Sequence, residues 1–374
     1  MDAEVAVIGL GTMGSMAMWQ LARRGVSVLG FEQFGIGHDQ SAAGGESRLF
    51  RTAYFEGAEY VPLLQEAFSQ WRELEQESGF NLLTINGGLM IGDPESDFIK
   101  SVMNSIQMHQ LDHEVLDEKA AKEHFPQHRL LPGEVMVLDK QAGFLRPELS
   151  VLAAVQSAEK LGATVQKHAQ VQEIIPDEHG VNIKANDAYY RVKKVIITAG
   201  PWTGTLLPEL QKQLTVQRLV MTWYPILTEK KFDIDQFPTF IRMSRDITFF
   251  GAPTLDGSMV KVALGTFYGQ VDDASALDRS VDVQSLQKVN CAVSQLMSGL
   301  HPAPSRVSAY MDAYTPDNDA IVGIHPQFNN TVVLGGFSGH GFKMAPIFGQ
   351  IAADLATTGK TDYPIDHLSL ARFL

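Results

Sequence analysis

The sequence predicts an α/β protein whose nucleotide-fold elements, at the start, middle and end of the chain, are interleaved with strand-rich segments. Three observations carry this reading. Residues 4–8 are a short β-branched run that leads into Gly9, Gly11 and Gly14 and then a helical stretch. Residues 195–199 are a second apolar run ending in Gly200 and Pro201, and residues 331–335 a third, followed by Gly336, Gly339 and Gly341. Between these, residues 216–270 read mainly as strand, so two units share the chain by alternation and not in succession.

The elements follow in order. Residues 15–24 have helical character and stop at Gly25; residues 26–31 form the next strand and lead to Glu32. Strand, glycine turn, helix, strand and acidic residue in this order make a Rossmann-like, dinucleotide-binding unit. Gly9 permits the tight turn, Gly11 lets the backbone approach a pyrophosphate, and Gly14 lets helix and strand pack closely. The helix N-terminus adds free N–H groups and a positive partial charge. Glu32 ends the second strand, where a carboxylate accepts a bond from a ribose hydroxyl. Residues 33–58 lack periodicity and read as a long loop, of the kind that is usually functional. Residues 60–77 read as a helix with Val61, Leu64, Ala67, Phe68, Trp71 and Leu74 on one face. Strands are expected near 82–91, split by Gly87 and Gly88, and helices over 97–109, 146–161, 281–298 and 345–358. Two further β segments fall near 164–174 and 180–185.

Composition narrows the class. The 374 residues carry a formal net charge of −13, which opposes a general nucleic-acid surface because phosphate binding needs clustered Lys and Arg. One cysteine, Cys291, allows no internal disulfide and no Cys-cluster metal site, and the histidines show no metal spacing. The first residues are acidic where a secretory leader is basic, and no run approaches the ~20 apolar residues of a membrane span. A cytoplasmic protein without membrane association is expected.

The glycine fingerprint alone does not separate FAD from NAD. The strand at 195–202 and the strand-plus-glycine loop at 331–343 tip the reading to FAD, because that loop can aim N–H groups at the reduced edge of a flavin. Both also read as ordinary core strands with turns. Arg48 and Arg51 share a side if their segment is helical, and guanidinium groups suit carboxylates and phosphates; a solvated pair is the plain alternative. Lys261 sits in an apolar strand, M-V-K-V-A-L-G-T-F. It is either a buried cation with a purpose or an edge-strand guard against aggregation. His340 fits a catalytic role or a backbone-bonded loop histidine equally. Cys291 falls in a helix and reads as core.

These residues, above all S-R-L-F-R-T-A-Y-F-E-G-A-E-Y-V-P-L (47–63) and G-G-F-S-G-H-G-F-K (335–343), make the chain resemble the monomeric sarcosine oxidase and N-methyltryptophan oxidase group of FAD-dependent amine oxidases, with its bacterial fructosyl-amino acid oxidase relatives. The likeness runs nearly end to end. It implies a D-amino-acid-oxidase/glutathione-reductase-like fold: an FAD-binding domain over 1–80, 145–212 and 304–374, and a β-sheet-rich substrate domain over 81–144 and 213–303. It implies oxidation of a secondary amine on an amino acid to an imine that hydrolyses, with O2 reduced to hydrogen peroxide, by a monomer. Arg51 and Lys343 match the cations that hold the substrate carboxylate. Arg48 matches the arginine beside the flavin ring, and Lys261 the lysine that activates O2 by its charge. Carried over position by position, the FAD contacts fall on Gly9, Gly11, Thr12, Met13 and Gly14; on Glu32 and Gln33; on Ser41, Gly45, Ser47 and Arg48; on Val171, Ala199, Gly200 and Trp202; and on Gly336, Phe337, Gly339, His340, Gly341, Phe342 and Lys343.

Two departures from the family pattern matter. Members often tether FAD through a cysteine near 306–319; Tyr310 stands about there, which implies non-covalent FAD. Gly44 stands where the sarcosine enzymes have a histidine, and Phe249 where they have a tyrosine. Both changes remove polar bulk at the substrate, so fructosyl-amino acids lead as substrates, with sarcosine or another N-methyl amino acid as the alternative. A nicotinamide dehydrogenase, a primary amino acid oxidase and a non-enzymatic flavoprotein are more distant readings.

Overall fold

The computed structural model describes residues 1–40, 42–228, 231–244 and 246–373. Ser41, expected at the cofactor, lies outside the described residues.

The β-branched run at the start becomes the strand Ala3–Ile8, buried on both faces as a parallel strand requires. It pairs in parallel with Val28–Glu32 on one side and with Ala188–Ile197 on the other. Ala188–Ile197 in turn pairs in parallel with Phe328–Gly335, Ile197 lying opposite both Ile8 and Val333. Four strands from three parts of the chain therefore end along one edge. Beyond that edge come Gly9, Gln33, Thr198 and Gly336, and it is outside the carboxyl ends of such strands that ligands bind. The sheet is completed by Thr164–Lys167, Val171–Asp177, Gly180–Ala185 and Ile321–His325.

Helices Thr12–Arg23, Val61–Ser78, Pro147–Lys160 and Ala345–Thr358 share one hydrophobic core against this sheet. Closeness matters most at Gly349, where an added Cβ would fall 2.6 Å from the Met16 carbonyl carbon. The expected apolar face of Val61–Ser78 is buried, with Trp71 and Leu74 fully inaccessible. Among the described residues no helix is long and apolar enough to cross a membrane.

A second eight-stranded sheet runs in the order Arg306–Tyr314, Thr215–Pro225, Met259–Leu264, Ile247–Ala252, Thr239–Ser244, Gly88–Gly92, Val135–Asp139, His113–Leu116. All its pairings are antiparallel except Thr239–Ser244 with Gly88–Gly92. Arg306–Tyr314 belongs to this sheet, although the strands that follow it, Ile321–His325 and Phe328–Gly335, belong to the first. Helix Gln287–Leu296 covers one face; it is shorter than the expected 281–298, because Val283–Leu286 forms a separate tighter turn. Cys291 is exposed on that helix, whose buried side is Val289, Ala292, Val293 and Leu296. The expectation of a core cysteine is corrected by that face assignment. The long loop 33–58 also holds a short strand, Arg48–Phe50, paired with Gly143–Leu145.

Candidate functional site

The strand ends open into a cleft enclosing about 1220 Å³ with its mouth. Gly9 turns the chain with a left-handed backbone (φ 87°), and a Cβ there would meet the Thr198 carbonyl oxygen at 2.7 Å. At Gly14 a Cβ would lie 1.9 Å from the Gly9 oxygen, so the helix sits directly on the turn. Gly11 starts the helix without any side-chain cap, which leaves its first N–H groups facing the cleft beside Thr12 and Met13. Glu32 is buried; its Oε2 accepts the Leu10 N–H (3.0 Å) and its Oε1 the Phe34 N–H (2.9 Å). A carboxylate has about four acceptor directions, so Glu32 stiffens the turn and still has room for a ribose hydroxyl.

Gln33, Val171, Ala199, Gly200 and Trp202 line the cleft as expected. So do Gly336, Phe337, Gly339, Gly341, Phe342 and Arg48. Gly14, Gly45, Ser47, His340 and Lys343 stand behind this lining, shaping it through their neighbours. The uncapped helix start, the Glu32 carboxylate and the length of wall between Val171 and Phe342 fit a dinucleotide carrying a flavin.

Arg48 and Arg51 do not share a side. Arg48 opens a short strand, and its guanidinium donates to the carbonyls of Ser47 (2.8 Å), Ala42 and Gly44, which folds the glycine-rich segment around it. Glu148 closes the same segment by accepting the N–H groups of Gly45 (2.7 Å) and Glu46 (3.0 Å). Arg51 turns away to a two-pronged pair with Glu56, its guanidinium 4.5 Å from the Tyr54 ring centre and 4.4 Å from that of Phe55. Its buried Nε has no partner among the described residues. Asp139 of the second sheet accepts the N–H groups of Thr52 (2.7 Å) and Ala53 (2.8 Å) and so fixes the backbone that carries Arg51.

Lys343 reaches the same place from the other end of the chain. Its Nζ donates to the His340 carbonyl (2.8 Å) and lies 3.4 Å from the Tyr54 hydroxyl. Trp71 stacks on Phe342 and donates to the Lys343 carbonyl (2.9 Å). Burial, with the Arg51 charge nearby, lowers the Lys343 ammonium to about 7; Glu56 opposes this. His340 is tied by Nε2 to the Asn318 carbonyl (3.0 Å) and by Nδ1 to Tyr54 (3.0 Å), a holding role for this loop.

Lys261 is not on an edge strand. Met259–Leu264 lies between two others, and Nζ donates across to the first unit, to Gly45 O (2.7 Å) and Ser47 O (2.9 Å). Burial, and next the Arg48 charge, hold its pKa well below the usual ammonium value, while Glu148 and Glu46 oppose this.

Gly44 and Phe249 do not make room for substrate. A Cβ on Gly44 would strike the Tyr310 ring at 2.6 Å, so the tyrosine fills the space that the missing side chain leaves. Phe249 is fully buried against Phe240 in the other core. Its register partner is Leu264, which places it on the sheet face opposite Lys261. Residues that sequence reasoning missed include Glu148, Glu56, Asp139 and Asp312. Asp312 lines the cleft, accepts the N–H groups of Ala313 (2.8 Å) and Gly339 (3.1 Å), and is raised by burial to about 6.

A strand-end cleft with this turn, this carboxylate and cations beyond its far end defines a dinucleotide-binding oxidoreductase. The chain belongs to the FAD dependent oxidoreductase family, whose model matches residues 4–355. It is 34% identical over 366 residues to a monomeric sarcosine oxidase of Streptomyces avermitilis, covering 97% of this chain and 95% of that one. It is 30% identical to an N-methyl-L-tryptophan oxidase of Escherichia coli over the whole of both chains. The fold matches NikD, an unusual amino acid oxidase essential for nikkomycin biosynthesis, with a TM-score of 0.88 at 24% identity over 98% of this chain and 97% of that one. FAD is thus the cofactor, and the nicotinamide reading falls away.

Proposed function

We propose that this chain oxidises N-methyl amino acids, sarcosine or a larger homologue, at the C–N bond. One observation carries the reading: two cations from distant parts of the chain, Arg51 and Lys343, converge on Tyr54 behind the flavin-sized cleft. The Arg51 fork already holds a carboxylate, that of Glu56, which demonstrates its preference for a planar two-oxygen partner. Bound FAD would take two electrons from the C–N bond and pass them to O2, giving an imine that water hydrolyses and hydrogen peroxide. Arg51 and Lys343 would grip the substrate carboxylate and so present the amine to the cleft. Lys261 would place its charge where O2 gains electrons.

The expected preference for fructosyl-amino acids loses its footing, because the two positions that were to widen the pocket are filled or face elsewhere. The relatives above 30% identity are named for N-methyl amino acids. A peroxide-coupled comparison of sarcosine, N-methyltryptophan, fructosyl-glycine and fructosyl-valine tests this; faster turnover of either fructosyl compound would reverse it.

FAD is held without a covalent bond in this reading. Tyr310 is the residue beside Gly44 and Gly45, and exposed Cys291 belongs to a helix behind the other sheet. Acid precipitation should leave the yellow colour in the supernatant; a yellow pellet would overturn it. The first sheet and its helices would form the cofactor domain and the second sheet the substrate domain, divided near 80, 144 and 212; the last division would move from the expected 303 to beyond Tyr314, because Arg306–Tyr314 pairs with Thr215–Pro225. The protein would act as a monomer, and size-exclusion chromatography checks that.

A further inference from the structure

We propose that Asp312 is a further catalytic residue: the carboxylate that receives the substrate's ammonium group in the cleft and takes its proton before oxidation. This rests on the reading of the chain as an N-methyl amino acid oxidase.

The placement comes from strand register. Asp312 pairs with Gln217, and Trp223 on the same strand pairs with Lys261. Residues 217 and 223 share a face, so Asp312 and Lys261 share the sheet face turned to the cleft. Two backbone N–H groups, from Ala313 and Gly339, fix the carboxylate, one to each oxygen. About two acceptor directions remain for a ligand. The Gly339 contact ties Asp312 to the loop that ends in Lys343, so the carboxylate and the substrate clamp are set by one segment.

Scarcity strengthens the case. Among the described residues lining the cleft, Glu32 and Asp312 are the carboxylates. Glu32 serves the nucleotide end, and Glu56 is taken up by Arg51. Glu148 and Glu46 stand behind the lining, Glu148 holding the N–H groups of Gly45 and Glu46, and Glu46 accepting from Trp223. Beyond the nucleotide end, Asp312 is the lining carboxylate that an ammonium entering the cleft would meet.

The chemistry needs such a group. A secondary ammonium has no free electron pair on nitrogen and cannot be oxidised. In the proposed step its N–H bond breaks, an O–H bond forms on Asp312, and no electrons change hands. The ammonium–carboxylate contact becomes a neutral amine beside a neutral carboxyl, while the substrate carboxylate keeps its charge; a desolvated cleft favours removal of the paired charges. The groups acting on Asp312 are Arg48, which opens a short strand of a separate three-stranded sheet and opposes the upward push of burial, and Tyr314 from its own strand. A carboxyl brought to about 6 is ionised at neutral pH yet a better proton acceptor than an ordinary one.

Asp312→Asn in the FAD-loaded enzyme tests this, with anaerobic bleaching by sarcosine followed from pH 7 to 10 beside spectral titration with propionate, which has a carboxylate and no amine. The expected result is bleaching about 10²-fold slower at pH 7, with the gap closing as pH nears the amine's own pKa of about 10. Propionate should bind as tightly as to wild type or more so. Asp312→Glu, which keeps the base, should keep the wild-type pH profile. A D312N profile parallel to wild type, equal losses for both ligands at every pH, or a D312E profile like that of D312N would each overturn the proposal. Wild-type enzyme that neither sarcosine nor N-methyltryptophan bleaches at any pH would overturn the functional reading as well.

Discussion

Lys343 should make carboxylate binding pH-dependent in a range where the substrate carboxylate itself does not titrate. Its ammonium is buried beside Arg51 and sits at about 7, against 10.5 ordinarily. That difference corresponds to roughly 5 kcal/mol for carrying an uncompensated charge there. The sign follows: Lys343 holds its proton below about pH 7 and loses it as pH rises. Arg51 is held above its ordinary value and Glu56 below its own, so neither titrates in this range. If binding requires the charged lysine, apparent affinity falls with the charged fraction, about twofold at pH 7, elevenfold at pH 8 and a hundredfold at pH 9. Propionate titrations followed by the flavin spectrum from pH 6 to 9 measure this. Lys343→Met should abolish the slope and weaken binding at pH 6 by about 10²-fold or more, since the substrate carboxylate loses a buried charged partner. A flat wild-type profile, or a slope that survives in K343M, would refute the assignment of Lys343 to the clamp.

Other outcomes follow from the same geometry. Glu56→Gln removes the carboxylate that holds Arg51 and should tighten propionate by about tenfold, provided the loop keeps its place; isothermal titration against wild type decides it. Lys261→Met should slow reoxidation of the reduced enzyme by O2 about 10²–10³-fold while anaerobic bleaching changes much less, a split that stopped-flow mixing resolves. Gly14→Val drives a side chain into the Gly9 oxygen and should yield protein purified with little flavin, read from the ratio of flavin to protein absorbance. His128 is buried between Phe237 and Phe240, has no partner for either ring nitrogen among the described residues, and is lowered to about 3. The unfolded chain binds the proton from about pH 6.5 downward, so stability is lost as pH falls from there towards 3. His128→Phe should add about 1–3 kcal/mol at neutral pH and flatten that acid slope; denaturation midpoints that fall in the variant would count against it.

What the sequence shows of this protein depends on how local the determining contacts are. Gly9 to Glu32 is legible because turn, helix and carboxylate are consecutive and each glycine has a steric reason. The strands at 195–197 and 331–333 are legible as apolar runs, and their joining to 3–8 could be anticipated from the glycines that follow each. Lys261 reads either way in the sequence because edge and centre differ only in which distant strands lie alongside. Phe249 and its neighbour Phe250 differ by one step of alternation, and the register that turns Phe249 away from the cleft is set by Leu264 and Arg242. Gly44 read as empty space because the Tyr310 ring that fills it arrives from a strand far along the chain. Cys291 was within reach: its helical spacing from Val289, Ala292 and Val293 sets it on the outer side. Asp312 had its own signal, an acidic residue alternating with Tyr310 and Tyr314, but nothing nearby in sequence says what that face meets.

The strand order has a consequence for how the enzyme comes into being. Ala3–Ile8 is made well before its partner Ala188–Ile197, and the wall formed by Phe328–Gly335 comes later still. The first Rossmann-like unit therefore keeps one strand edge unpaired until residues 188–197 are made, a state in which exposed edges invite wrong pairings. Lys261 reaches the carbonyls of Gly45 and Ser47 across more than two hundred residues, and Lys343 reaches Tyr54 across a still longer stretch. Completion of the cleft thus waits on segments far apart in the chain, and a flavin meets its whole wall only once Ala3–Ile8, Ala188–Ile197 and Phe328–Gly335 lie side by side.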